Sequence, residues 1–390
     1  MPKPESAPPP EPLAPAPDSA TPAPRDPAPA GPRSGPAPRA GTGGEPPPGT
    51  VRTRRRRTPH RQVLTGGPLA VAGGALAVFG AASGLLIVPA RTVLVLVGIA
   101  LCAAGLARLG KAAFGAGFDL MYWFSLGWLV LVLAAAVCVP LLPLGEHTDV
   151  ASTLDDPVFA LPGQSGHLLG TNGFGLDLLS RSVYGARTSL TVALCAVAIG
   201  TVVGGALGVV TGYFRGAADR TVGIATNALL AVPPLVLLVA LATVLDPGLR
   251  NVALSLSLLT IPSMVRVARA STLAHTQREF VLAARALGAT RWRVMTRELL
   301  PNVLLPLLSM ALVMVSVMIV AEASLSFLGL GVQPPEPTWG NMIAEGEGDV
   351  FQEHPHIVLV PGTVLFLTVF ALNLVGERAR NRWDPRSVNL

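Results

Sequence analysis

The 390-residue chain is 51% hydrophobic but only 13% charged, with a mean hydropathy of +0.54 and a formal charge of +6. Soluble domains carry about 25% charged residues, so this composition, with uncharged apolar runs near about 20 residues, excludes an ordinary soluble domain and reads as an all-α polytopic membrane protein. In such a chain surplus arginine marks cytoplasmic loops rather than a nucleic-acid partner.

Residues 1–50 hold 18 of the 37 prolines. Such a segment cannot bury enough apolar surface to offset its ordering entropy, so residues 1–62 are expected to form a disordered, basic cytoplasmic tail. It has no apolar core flanked by a cleavage site and is not a signal peptide. Arg54–Arg57 just before the first apolar stretch reads as a topology anchor. Eight spans are expected: Pro68–Ala90 and Thr92–Leu109 as an extra hairpin within residues 63–118, then Asp119–Leu142, Thr188–Tyr213, Val222–Leu245, Asn251–Val267, Val303–Leu328 and Ile357–Val375, each long enough for a hydrocarbon core of about 30 Å. Cys102, Cys138 and Cys195 all lie in apolar stretches and suggest neither a disulfide framework nor a zinc site.

The arginines test this count. Eight spans place Arg52–Arg61, Arg108 with Lys111, Arg215 with Arg220, the seven arginines from Arg266 to Arg297, and Arg378–Arg386 on one side. The other side receives residues 144–187, Asp246–Arg250 and 329–356. The last of these carries Glu336, Glu345, Glu347, Asp349 and Glu353 without a single Lys or Arg. The asymmetry predicts that both termini are cytoplasmic.

Several motifs are weak. Residues Gly105–Ala112 nearly match the phosphate loop GxxxxGK followed by Ser or Thr, but Ala112 replaces the magnesium-binding hydroxyl and a membrane span precedes it. "GTNGFG" at Gly170–Gly175 has no βαβ context. Glu353, His354 and His356 cluster at the outer end of the last span, where Pro355 and the lack of a clear fourth ligand favour a plain interfacial loop over a metal site. The spans are nearly free of ionisable groups, Glu322 being the clearest exception. Ion-driven transporters keep acidic residues or broken helices at mid-depth, and their scarcity in the sequence places the energy source on another subunit as an expectation.

"EFVLAARALGATRWRVMTRELLPN", Glu279–Asn302, interrupts two apolar stretches with charge. A helix over Thr276–Leu287 places Phe280, Ala283, Ala284 and Leu287 on one face and Arg278 and Arg285 on another. Ala283 and Ala284 leave the apolar face shallow, so a partner can approach closely. Gly288 can adopt positive φ and end the helix. Thr290–Leu300 can form a second short helix, and Pro301 opens the next span at little cost. The residues alone leave two readings open: an amphipathic loop on the lipid surface, or a docking element.

This segment resembles the EAA loop of ABC importer permeases, through Leu282-Ala283-Ala284, Gly288 and Leu300-Pro301. "GFGLDLLSRSVYGARTSL", "AEASLSFLGLGVQPPEPTWGNMIAEG" and the terminal "RARNRWDPR" are similar, in the same order, to the second permease subunit of dipeptide/oligopeptide/nickel importers, over about Leu120–Arg386. The resemblance implies a six-span type I importer core in residues 119–390. It implies a homologous partner permease, two cytoplasmic ATPase subunits that bind ATP and magnesium, and an external substrate-binding lipoprotein in a bacterial plasma membrane. No catalytic residue, cofactor or metal is implied in this chain itself. The helix containing Glu279, Leu282, Ala283, Ala284 and Leu287 would seat in an ATPase groove. The chain departs from the family where Leu282 replaces the motif glutamate, and where Asn172 and Leu176 replace the usual Asp and Arg. An ion-driven secondary transporter and a non-transporting scaffold are the competing functions.

Overall fold

The computed structural model describes residues 59–82, 88–115 and 118–383. The proline-rich tail up to residue 58 and Arg386, the one arginine after Trp383, lie outside the described residues. The described chain is helical, with an isolated antiparallel bridge between Thr171 and Asp177. In order it forms α1 (Pro59–Ala82), α2 (Val88–Phe114), α3 (Leu120–Cys138), α4 (Leu178–Phe214), α5 (Gly216–Ala231), α6 (Pro234–Val244), α7 (Leu249–His275), α8 (Glu279–Ala286), α9 (Arg291–Arg293), a π-helical segment (Val294–Leu299), α10 (Leu300–Phe327), α11 (Trp339–Glu345), α12 (Asp349–Glu353) and α13 (His356–Trp383).

Five helices among the described residues are long and apolar enough to cross a membrane, and a sixth if the bent α5–α6 pair is one span. These coincide with the last six sequence-expected spans. The apolar part of α1, Thr65–Val78, is shorter than a span. It packs against α2 through glycine: a Cβ on Gly98 would lie 2.5 Å from the Ala77 nitrogen. Gly105–Ala112 lies inside α2, so the near match to a phosphate loop is helix.

The centre of the molecule is the α4–α7 pair. Gly200, Gly204, Gly208 and Gly212 recur every fourth residue along α4 and face α7. A Cβ on Gly204 would fall 2.6 Å from the Ile261 carbonyl oxygen, and one on Gly208 equally close to Ala268 Cβ. A stripe of small residues lets two backbones approach, and this packing rather than a hydrophobic driving force holds helices together in lipid. α10 then covers the pair with Val315, Met318 and Ile319, joined to Ala193, Ala196 and Leu256 in one buried cluster. α13 packs on α10, where the Ser316 hydroxyl donates to Asn373 Oδ1 at 3.0 Å. α3 closes the outside: Trp128 Nε1 donates to Thr368 Oγ1 at 3.1 Å, and Arg378 reaches Asp119 at 3.0 Å while lying 4.4 Å from the Tyr122 ring.

Three expectations need correction. Val222–Leu245 is not one straight span, because α5 and α6 meet at 93°. Pro233 and Pro234 lack N–H groups, and a residue before proline is pushed to extended backbone; Val232 sits at φ −85°, ψ 129°. The helix expected from Thr276 begins at Glu279 instead. α7 runs on to His275, the Thr276 N–H bonds the Thr272 carbonyl, and Arg278 is extended at φ −76°, ψ 148°. Finally, Thr290–Leu300 is not a separate short helix before a span opened by Pro301. Arg291–Phe327 runs as one helix of 37 residues. Pro301 cannot donate to the Arg297 carbonyl, and the π-helical turn just before it, with Leu300 N–H on Met295 O, sets the altered register.

Candidate coupling loop and the opposite cap

The C-terminal ends of α4 and α7 and the start of α9 meet at one end of the bundle, and α8 is held across them. Val281 is its buried residue, packed with Val294 and Leu299 and flanked by Tyr213, Ala284 and Ala289. Its C-terminus is a Schellman cap. Ala289 N–H bonds Ala284 O and Gly288 N–H bonds Arg285 O, both at 3.0 Å, with Gly288 at φ +85°. Gly288 thus ends the helix as the sequence indicates. The cap and the buried valine hold both ends of a helix of only 8 residues, too short to be stable alone.

Of the apolar face inferred from sequence, Phe280 and Leu287 are 39% and 89% exposed and Ala283 is exposed with them; Leu282, outside that face, is 52% exposed. Glu279, the first residue of α8, is exposed and has no ion-pair partner among the described residues. Ala284 faces inward. Leu300 and Pro301 lie apart on α10, partly exposed, and it is Leu299 rather than Leu300 that packs beneath α8. Val281 escaped sequence reasoning because on so short a helix the periodicity fits either apolar face.

Beside α8 opens a cleft of about 500 Å³ lined by Arg215, Arg285 and Arg291, with Leu282, Tyr213 and Gln277 among the other walls. Arg215 occupies φ +56°, ψ −156°, between α4 and α5, a region almost confined to glycine. Farther toward the bundle centre, Arg269 clasps Asp219 through Nε and Nη2 at 2.5 and 2.8 Å. Arg266 bonds Asn227 at 2.9 Å. These contacts tie α5 to α7.

The opposite end is a closed polar cap. α11 is inserted there, with Trp339 and Met342 fully buried. Thr338 and Asn341 form a reciprocal capping box at its start, and Trp339 Nε1 donates to the Ser182 carbonyl at 3.1 Å. Glu322 is fully buried and accepts from Ser189 at 2.8 Å and Ser326 at 2.7 Å, so α10 and α4 are pinned beneath α11. Glu345 pairs with buried Arg181 and accepts from Asn172 Nδ2 at 2.8 Å. Asn172 Oδ1 accepts from the N–H groups of Phe174 and Leu176, each at 3.0 Å. The amide thereby serves as donor and acceptor at once, which a carboxylate facing Glu345 cannot do. Leu176, the other departure, is simply buried. Glu146 turns the preceding loop by accepting three backbone N–H groups, from Thr148, Asp149 and His147, which lower its pKa to about 2. Burial lowers the pKa of His147, whose ring stacks on Tyr184. His354 stacks on Phe159 at 4.5 Å between centroids. The Arg181–Glu345 pair has no sequence signal, since 164 residues separate its members.

The described residues form a helical bundle with five membrane-length helices, six with the bent α5–α6 pair, that holds α11 in a polar cap at one end and α8 across the other. Residues 204–389 match the family described as binding-protein-dependent transport system inner membrane component. The chain is 36% identical over 270 residues to the di/tripeptide transport system permease protein DppC of Pseudomonas aeruginosa, covering 68% of this chain and 89% of that one. It is 36% identical over 222 residues to the glutathione transport system permease protein GsiD of Pectobacterium atrosepticum, covering 57% and 73%. Against the dipeptide permease DppC of Haemophilus influenzae it is 33% identical over 261 residues, covering 66% and 88%. The chain belongs to this family of binding-protein-dependent permeases, the membrane subunits of ABC importers.

Proposed function

We infer that the chain is the permease through which an ATP-driven importer carries di- or oligopeptides across a bacterial plasma membrane. Its relatives are named for dipeptides, tripeptides and glutathione, and a small peptide is the chemistry they share. The chain works with a homologous permease, two cytoplasmic ATPase subunits that hold ATP and magnesium, and an external binding lipoprotein. Both termini are cytoplasmic, residues 63–118 add a membrane hairpin, and residues 1–62 are an accessory tail.

The observation that carries this reading is the surface of α8. Leu282, Ala283 and Leu287 stand exposed on a helix fixed from below by Val281 and from behind by Gly288. A surface helix held this firmly transmits displacement instead of absorbing it. ATP-driven closure of the ATPase subunits would move α8, and α8 would move α9–α10 and α4, whose other ends carry the cap. Glu279 supplies the charged contact that Leu282 cannot make, one turn away along the helix.

The test is uptake of a labelled dipeptide into proteoliposomes containing the four-subunit membrane complex and its binding protein. Uptake is expected to require ATP and to survive ionophores. Uptake driven by a proton or sodium gradient without ATP identifies a secondary transporter, and a chain that retains no ATPase subunit is a scaffold.

A further inference from the structure

We propose that the arginine-lined cleft beside α8 receives a carboxylate-bearing segment of an ATPase subunit. This rests on the coupling reading above and assigns the cleft a partner chemistry.

Arg215, Arg285 and Arg291 converge on a cavity of about 500 Å³ whose lining contains no Asp or Glu. None of the three has an ion-pair partner among the described residues. Asp219, an acid on which the Arg215 charge acts, is already held by both oxygens of its carboxylate on Arg269. Three guanidinium groups around one opening repel one another, and that arrangement is relieved by an anion. Guanidinium groups offer planar, paired donors suited to a carboxylate. Leu282 borders the same cleft. In this chain the position that carries a negative charge in the resembling family is therefore apolar and edged with positive charge. The charged contacts of α8 are then divided: Glu279 keeps a negative one at the start of the helix, and the cleft adds a positive one beside Leu282.

The same groups also suit a phosphate headgroup, and what surrounds the cleft favours a soluble subunit: it is bordered by α8, a helix of 8 residues that is not among the membrane-length helices. Leu282 and Leu287, exposed on the same helix, offer that subunit apolar contacts around the charged one.

The importer is assembled from tagged wild-type or variant chain, its permease partner and its ATPase subunits. Retention of ATPase on the tagged chain is measured against salt, in detergent and in nanodiscs of neutral or anionic lipid. Arg285→Gln with Arg291→Gln is expected to lower retention about tenfold or more in all three settings and to flatten its salt dependence. Arg285→Lys with Arg291→Lys is expected to restore most of it, and Arg293→Gln, outside the cleft, to behave as wild type. Wild-type retention by the double Gln variant overturns the proposal while leaving the coupling reading intact. A defect confined to anionic nanodiscs assigns the cleft to lipid and equally overturns it. A wild-type chain that retains no ATPase sinks both.

Discussion

Gly288 has open space where a side chain would go, yet its φ of +85° excludes one. Strain in this region costs about 1–3 kcal/mol. Gly288→Val should therefore leave the chain folded and membrane-inserted but distort the Schellman cap, giving weak ATPase retention or ATP hydrolysis uncoupled from uptake. Normal coupled uptake would remove the cap from the mechanism. Glu279 makes the second prediction at this scale. A hydrogen bond to a charged group is worth about 1.5–3 kcal/mol, against about 0–1 kcal/mol for an exposed ion pair. Glu279→Gln should reduce substrate-stimulated ATP hydrolysis in the assembled importer, and adding Leu282→Glu should partly restore it. An undiminished single variant shows that Glu279 makes no coupling contact. Gly288 was legible in the sequence because a glycine after a periodic segment has one common use. Val281 and the arginine cleft were not, since both depend on how α4, α7 and α9 converge.

At the scale of elements, the spans from Leu120 onward could be read from hydropathy because lipid leaves the backbone no alternative to helix. The features that shape them are local exceptions to that rule. The 93° bend between α5 and α6 was written in Pro233-Pro234, but apolar length alone favours a straight span. The insertion of α11 follows from buried residues on α4, α10 and α13 and has no signature within its own seven residues. The glycine stripe of α4 was present at a spacing of four and predicts close packing. Gly208→Val should lower the melting temperature of the purified chain, since overpacking a tight contact costs about 1–3 kcal/mol. Gly127→Val on α3, where a Cβ would meet nothing within 4 Å, should leave it nearly unchanged. Equal melting of the two variants would show that the α4–α7 approach is not a principal source of stability.

For the whole molecule, the charge asymmetry and the geometry make the same division independently. Arg215, Arg285 and Arg291 meet at one end of the bundle. Arg378 lies at that end too, since α13 begins beside the start of α4, where Leu178 and Met342 pack on Ile357. The acidic stretch from Glu336 to Glu353 belongs to the other end, with Arg181 drawn into it by Glu345. The excess of arginine predicts which end is cytoplasmic. With Cys102, Cys138 and Cys195 replaced, a membrane-impermeant maleimide should label Glu347→Cys in intact cells and Leu287→Cys only after the inner face is opened. Both sites are exposed on the chain alone, so in cells that lack the ATPase subunits a silent site reports the barrier and not burial. Labelling of Leu287→Cys from outside would invert the molecule. α8 would then face away from every cytoplasmic ATPase, and the coupling role of Gly288, Glu279 and the arginine cleft would fall together.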